Sequence, residues 1–192
     1  MPYNFDKVLR LTDPSTEPLT LAEAKEHLRY DGTVEDDYIT ALIGVARDHI
    51  EQFTGQYWAK ATFAVFFDDF PSGNAVFDIV VPGIESVDTI TYIDTNNDSQ
   101  SITSGTTLDS ERRALFYSES WPTDAISVRL AVTAGTDNGA SPADIIPNAI
   151  IQAIKLVLTD LFNNRADVTN MQTYNNKAAE MLAYPYRTRM GV

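Results

Sequence analysis

The sequence predicts an α+β fold: a helical bundle formed by N-terminal and C-terminal helices, with a small antiparallel β-sandwich or barrel-like insertion between them. Three observations point there. Apolar residues recur at steps of three and four near both ends of the chain, which is the helical period. The middle is made of short runs rich in Val, Ile, Thr, Phe and Tyr, broken by turn residues, which is strand language. The apolar stripe of the last long helix is broader than a sheet alone need cover, so the early and late helices are expected to pack together. The expected partition is an extended arm over 1–18, a helical core from 19–58 and 141–183, a β-rich insertion over 59–135 and a tail over 184–192.

The first segment, MPYNFDKVLRLTDPSTEP, carries three prolines and reads as extended, with a few ordered residues at Phe5 to Leu11. A short helix follows over about 21–30. Thr20 and Glu23 form a capping box, and Leu21, Ala24 and Leu28 share a face. DGTVEDD interrupts it. Thr33 is expected to cap a second helix whose first turn holds Glu35, Asp36 and Asp37, where the helix dipole favours negative charge. Tyr38, Leu42, Val45, His49 or Ile50, and Phe53 continue at helical spacing, and Gly55 sits where a left-handed cap ends the helix.

After Trp58 the period changes. TFAVFFDDF, VFDIVV, SVDTITYID, ALFY and ISVRLAVTA are separated by turns such as PSGN and TNNDS, giving strands over about 60–134. GTDNGASPAD reads as loop, with Ser141 and Pro142 as a cap and first-turn pair. Pro147 is expected to open the main late helix, whose stripe runs through Ile150, Ile151, Ile154, Val157, Leu158, Leu161 and Phe162. ADVTNMQTYNN reads as loop and KAAEMLAY as one or two helical turns.

Composition excludes several function classes. With 14 Lys+Arg against 27 Asp+Glu the net charge is −13, so the chain is not built to hold a phosphate backbone through clustered cations. There is no cysteine, hence no disulfide, thiolate zinc site or cysteine nucleophile. No secretory signal and no apolar run near the ~20 residues of a membrane span is evident.

Candidate chemistry is sparse, and no cofactor is expected. His27 and His49 lie on separate helices without local ligand spacing, so helix histidines are favoured over a metal site. Asp31, Glu35, Asp36 and Asp37 are explained by a helix start, although Asp36 or Asp37 is the weak candidate for an acid/base pair. Asp94, Asn96 and Asp98 match the first ligand positions of an EF-hand. Ser99 and Gly105 then break the pattern, which leaves a hairpin turn. Neither a phosphate-binding glycine loop nor a nucleophile elbow occurs. Trp58 and Trp121 read as core, but exposed they would offer a stacking platform for a small ligand or carbohydrate, which is the alternative function. From Lys177 onward the end of the chain holds Lys177, Arg187 and Arg189 against Glu180 alone, together with Tyr184 and Tyr186. This reads as a segment that orders on a partner.

EPLTLAEAKEHLRYDGTVEDDYITALIGVARDHIEQFTG, ESWP, IPNAIIQAIKLVLTDLFNNR and LAYPYR occur in this order, and together they resemble the head–tail connector (adaptor) proteins of tailed bacteriophages. The resemblance is to the gp6-like or gp8-like branch, also found in gene transfer agents, and covers about residues 17–187. It implies a non-enzymatic virion protein of the neck that passes through the host cytoplasm during assembly. Its implied partners are the portal protein, neighbouring copies in a ring usually of twelve, a stopper or tail-completion protein, and DNA that passes through the channel without specific binding. No membrane is implied. The resemblance assigns the portal contact to Tyr184, Pro185, Tyr186, Arg187 and Arg189, which match the family's closing motif. Ring contacts are heterologous and need two different faces. The charged helix positions Lys25, Arg29, Arg47, Asp48 and Glu51 are the candidates for the subunit–subunit surface.

Overall fold

The computed structural model describes residues 5–136, 146–164 and 177–188. Among them lie eight strands and four α-helices, and every strand pairing is antiparallel. The chain divides into two compact units, Met1–Ser15 with Lys60–Gly135, and Thr16–Ala59 with Thr136–Val192.

The first unit carries the strands. β1 (Phe5–Arg10), β2 (Ala61–Phe67), β8 (Ala125–Ala134), β4 (Ile84–Asp94) and β5 (Ser99–Ile102) form one sheet in that spatial order. β3 (Phe77–Asp78), β7 (Ala114–Tyr117) and β6 (Thr106–Asp109) form another. Phe5–Arg10, expected as a few ordered residues within an extended arm, is an edge strand of the larger sheet, with Val8 opposite Val65 and Arg10 opposite Phe63. β8 shows why the central strands hold their register: Val128, Leu130, Val132 and Ala134 alternate inward, and a slip of one residue would turn them all outward. Phe67 and Phe77 bring residues of the two sheets together with ring centroids 4.6 Å apart. Phe70 stacks on Trp121 at 5.2 Å, and the indole of Trp121 donates to the carbonyl of Ala75 at 2.8 Å. Trp121 is therefore a core residue with its one polar atom satisfied.

The second unit carries the helices α1 (Leu21–Leu28), α2 (Asp36–Thr54), α3 (Asn148–Asn163) and α4 (Lys177–Ala183). One buried apolar cluster holds residues from all four, among them Ala24, Ile43, Ile50, Ile154 and Ala183. The capping box of α1 is present. The Glu23 carboxylate accepts from the Thr20 N–H at 2.9 Å, and the Thr20 hydroxyl accepts from the Glu23 N–H at 3.3 Å. The Thr20 hydroxyl, which also donates to the Glu23 carboxylate at 2.6 Å, and after it the Thr20 N–H hold the Glu23 carboxyl below its ordinary pKa. α2 corrects one expectation: its cap position is Glu35, with no side-chain cap, and Thr33 serves only through its carbonyl, 3.3 Å from the Asp36 nitrogen. Pro147 opens α3, its carbonyl accepting from the N–H groups of Ile150 and Ile151. Among the described residues no helix is long and apolar enough to cross a membrane. The expected cap at Ser141 and Pro142 and the loops around it and around 166–176 lie outside the described residues.

Candidate functional site

The end of α2 is the best-organised polar region of the helical unit. Gly55 stops the helix with φ +66°, a left-handed conformation that costs other residues about 1–2 kcal/mol, and its N–H bonds the carbonyl of Glu51 at 2.8 Å. The Trp58 indole donates to the Thr54 hydroxyl at 3.0 Å. One carboxylate oxygen of Glu51 accepts from the N–H groups of Trp58 (2.7 Å) and Ala59 (3.2 Å), and the other accepts from Arg47 at 2.9 Å. Arg47 also reaches Glu17 at 2.8 Å and Asp48 at 2.7 Å. Burial lowers the Arg47 pKa, but the hydrogen bond to Glu17 and the charges of Glu51, Glu17 and Asp48 outweigh it and raise the value. Arg47 is 3% and Glu51 5% exposed. Both were expected on a charged outer face. They are instead an internal brace, because a one-turn spacing lets each satisfy the other inside the unit. Of the same expected set, Arg29 is exposed, Asp48 is half-buried, and Lys25 is half-buried and paired with Asp36 at 2.6 Å.

The chain's last described segment closes over this end. After α4, a single 3-10 turn (Tyr184–Tyr186) leads to Arg187 and Thr188. The Thr188 N–H and hydroxyl donate to the Thr54 carbonyl at 2.8 and 3.0 Å, and the hydroxyl also lies 3.0 Å from the Gly55 carbonyl. The Gln56 amide donates to the Tyr186 carbonyl, and Tyr186 packs edge-on against Trp58 at 6.0 Å. Arg187 lies over the Phe53 ring at 5.1 Å and over Tyr184 at 6.0 Å. A helix C-terminus needs donors for its last carbonyls and favours a cation. The segment supplies both. The expectation of a tail that orders only on a partner therefore changes for 184–188, which is folded onto its own chain. Arg189 lies outside the described residues.

A groove of about 390 Å³ opens here, lined by Phe53, Lys177, Glu180, Met181, Tyr184 and Arg187. Met181 is 75% and Tyr184 66% exposed. Sequence reasoning found the aromatic and cationic residues of this region but missed Phe53, Met181 and Thr188. Phe53 shares the helical period of α2, and that was the one signal for it.

The other nominated residues have structural roles. Trp58 and Trp121 are buried, which removes the stacking platform. Asp36 and Asp37 sit in the first turn of α2. Asp94 closes the β4–β5 hairpin, its carboxylate accepting from the N–H groups of Asn96 (2.9 Å) and Asp98 (3.0 Å), with Asn97 at φ +68°. Among the described residues no three His, Asp or Glu side chains are grouped to hold a metal. His27 is on α1 and His49 on α2, and burial beside Lys155 lowers the His27 pKa.

A family model described as phage gp6-like head-tail connector protein matches residues 18–119, more than half of the chain. The protein belongs to this family. The connector is thus a structural adaptor of a phage-like particle and a component of the virion. Its fold is also that of three solved structures. A chain from the neck of an empty gene transfer agent (GTA) particle, computed with C6 symmetry, is 19% identical with a TM-score of 0.73, covering 97% of the connector and 98% of that chain. A chain from the virion of a native gene transfer agent particle is 19% identical with a TM-score of 0.71, over 96% and 97%. A chain from the neck of a native GTA particle, computed with C12 symmetry, has the same identity and TM-score over 97% and 98%. No curated protein matches the connector.

Proposed function

We propose that copies of this connector form a ring, of twelve subunits, beneath the portal. The ring extends the DNA channel and receives the stopper or tail-completion protein on its other side. The protein acts by surface complementarity, without catalysis. The observation that carries this reading is the family match over residues 18–119. The fold shared along nearly the full chain with a neck solved in C12 symmetry supports the copy number. A net charge of −13 suits a channel through which DNA must slide, since an acidic wall repels the backbone and a basic one would retain it.

The four helices serve as the ring-forming bundle. Arg29, Lys25 and Asp48 belong to its subunit–subunit faces, with Arg47, itself braced by Glu51, holding Asp48 from inside. The portal contact falls to the segment of Tyr184, Pro185, Tyr186 and Arg187, continuing through Arg189. Deleting the whole segment would also uncover Trp58, so a point variant is the cleaner test. Tyr184→Ala in the full chain is expected to leave thermal stability within about 0.5 kcal/mol, as for an ordinary exposed site. It should reduce co-assembly with portal, read by pull-down on portal-bearing capsids. Unchanged recovery would remove the segment from the portal interface.

A further inference from the structure

We infer that the groove beside Phe53 receives the Val34 loop of the neighbouring copy, making one knob-and-groove joint per subunit around the ring. The inference rests on the ring reading above and names its contact.

Val34 is 94% exposed, the most exposed large apolar side chain among the described residues. It precedes the first turn of α2, and four carboxylates lie within three positions of it: Asp31, Glu35, Asp36 and Asp37. At the other end of the same helix is the groove, with an apolar floor from Phe53 and Met181 and two cations, Lys177 and Arg187, against Glu180. The two patches are complementary in kind: an apolar knob in an acidic collar, and an apolar groove with a cationic rim. Such charge arrangement selects the partner and its register as well as adding affinity. A chain cannot satisfy both patches by itself. The 19 residues of α2 hold its ends about 28 Å apart at 1.5 Å per residue. The contact is therefore between copies. It joins unlike faces, which is the head-to-tail contact that closes into a ring. The two patches flank opposite ends of α2, which fixes their spacing: Val34 lies in the turn just before it, and Phe53 on its last turn meets Met181 of α4 in the groove.

The chain has no cysteine, which makes the test direct. Val34→Cys and Met181→Cys are introduced together in the full-length protein, at two positions too exposed to unfold it. Particles assembled with it are oxidised and run without reductant. The expected result is a ladder of covalent multimers for the double variant and monomers for each single variant. Val34→Asp is expected to lower incorporation into particles about tenfold, since it removes a buried aliphatic contact and adds repulsion to the collar. Wild-type incorporation of Val34→Asp, or particles that hold the double variant without a ladder, would overturn the joint. A Met181→Cys link to portal instead of to another copy would also overturn it. If the wild-type protein were absent from particles, the ring reading itself would fail, an outcome separable from all of these.

Discussion

Glu51 shows how a single side chain can be both charged and structural. Its carboxylate is held by two backbone N–H groups and by Arg47, and both ionic partners are nearly fully buried. Removing one partner of such a pair strands the other, which costs about 3–5 kcal/mol. Glu51→Ala is expected to lose stability on that scale in urea unfolding, while Glu51→Gln keeps an acceptor for Trp58 and Ala59 and loses less. Gly55 is the second sensitive point. A Cβ there would meet the Thr188 hydroxyl at 2.5 Å in a backbone conformation that already disfavours side chains. Gly55→Ala should cost about 1–2 kcal/mol from the backbone, visible as a lowered midpoint of unfolding. It should also release Thr188 from the end of α2, visible as lost amide protection there.

Among the elements, the β4–β5 hairpin is the one whose stability depends most clearly on a titrating group. The Asp98 N–H, then Gln100 and the Asn96 N–H, hold the Asp94 carboxyl below its ordinary value, against a smaller desolvation effect in the other direction. A carboxylate with a depressed folded-state pKa contributes fully above its unfolded pKa, about 3.9. That contribution disappears as pH falls through the folded value. Amide protection at residues 96–98, measured against the intrinsic exchange rate at each pH, is therefore expected to fall as acid is added below pH 4, and Asp94→Asn should flatten that dependence. The hairpin was legible as a turn because Asp and Asn at these spacings bond their own backbone. The flanking strand β5 and strand β6 were less legible. Each has four residues with weak alternation and a single large apolar side chain, Ile102 among Ser and Gln in β5 and Leu108 among Thr and Asp in β6.

For the whole molecule, charge and shape decide what it touches. A protein of −13 has few cations to release counterions from DNA. No electrophoretic shift of duplex DNA is expected at physiological salt, and a salt-sensitive shift would contradict a channel that lets DNA slide. Adhesion must then come from protein contacts. The end of α2, the closing segment and the groove between them are the surface on which the portal and neighbour assignments converge. Charge pattern alone proposed Arg47 and Glu51 for the subunit–subunit faces, and burial moved them inside. The aromatic and cationic character of 184–187 was readable from composition, but its contact with Thr54, Gln56 and Trp58 was not.

The sequence by itself determined the capped start of α1, the end of α2 at Gly55, the opening of α3 at Pro147, where the period changes from helix to strand, and which family the chain resembles. Those signals are local: a cap, a left-handed glycine, an alternation. Tertiary structure alone decided that Phe5–Arg10 pairs with β2, that the Arg47–Glu51 pair faces inward, and that Thr188 completes the end of α2. Each of these joins residues whose side-chain types suit surface and interior alike. Only the position of the partner settles which of the two they occupy.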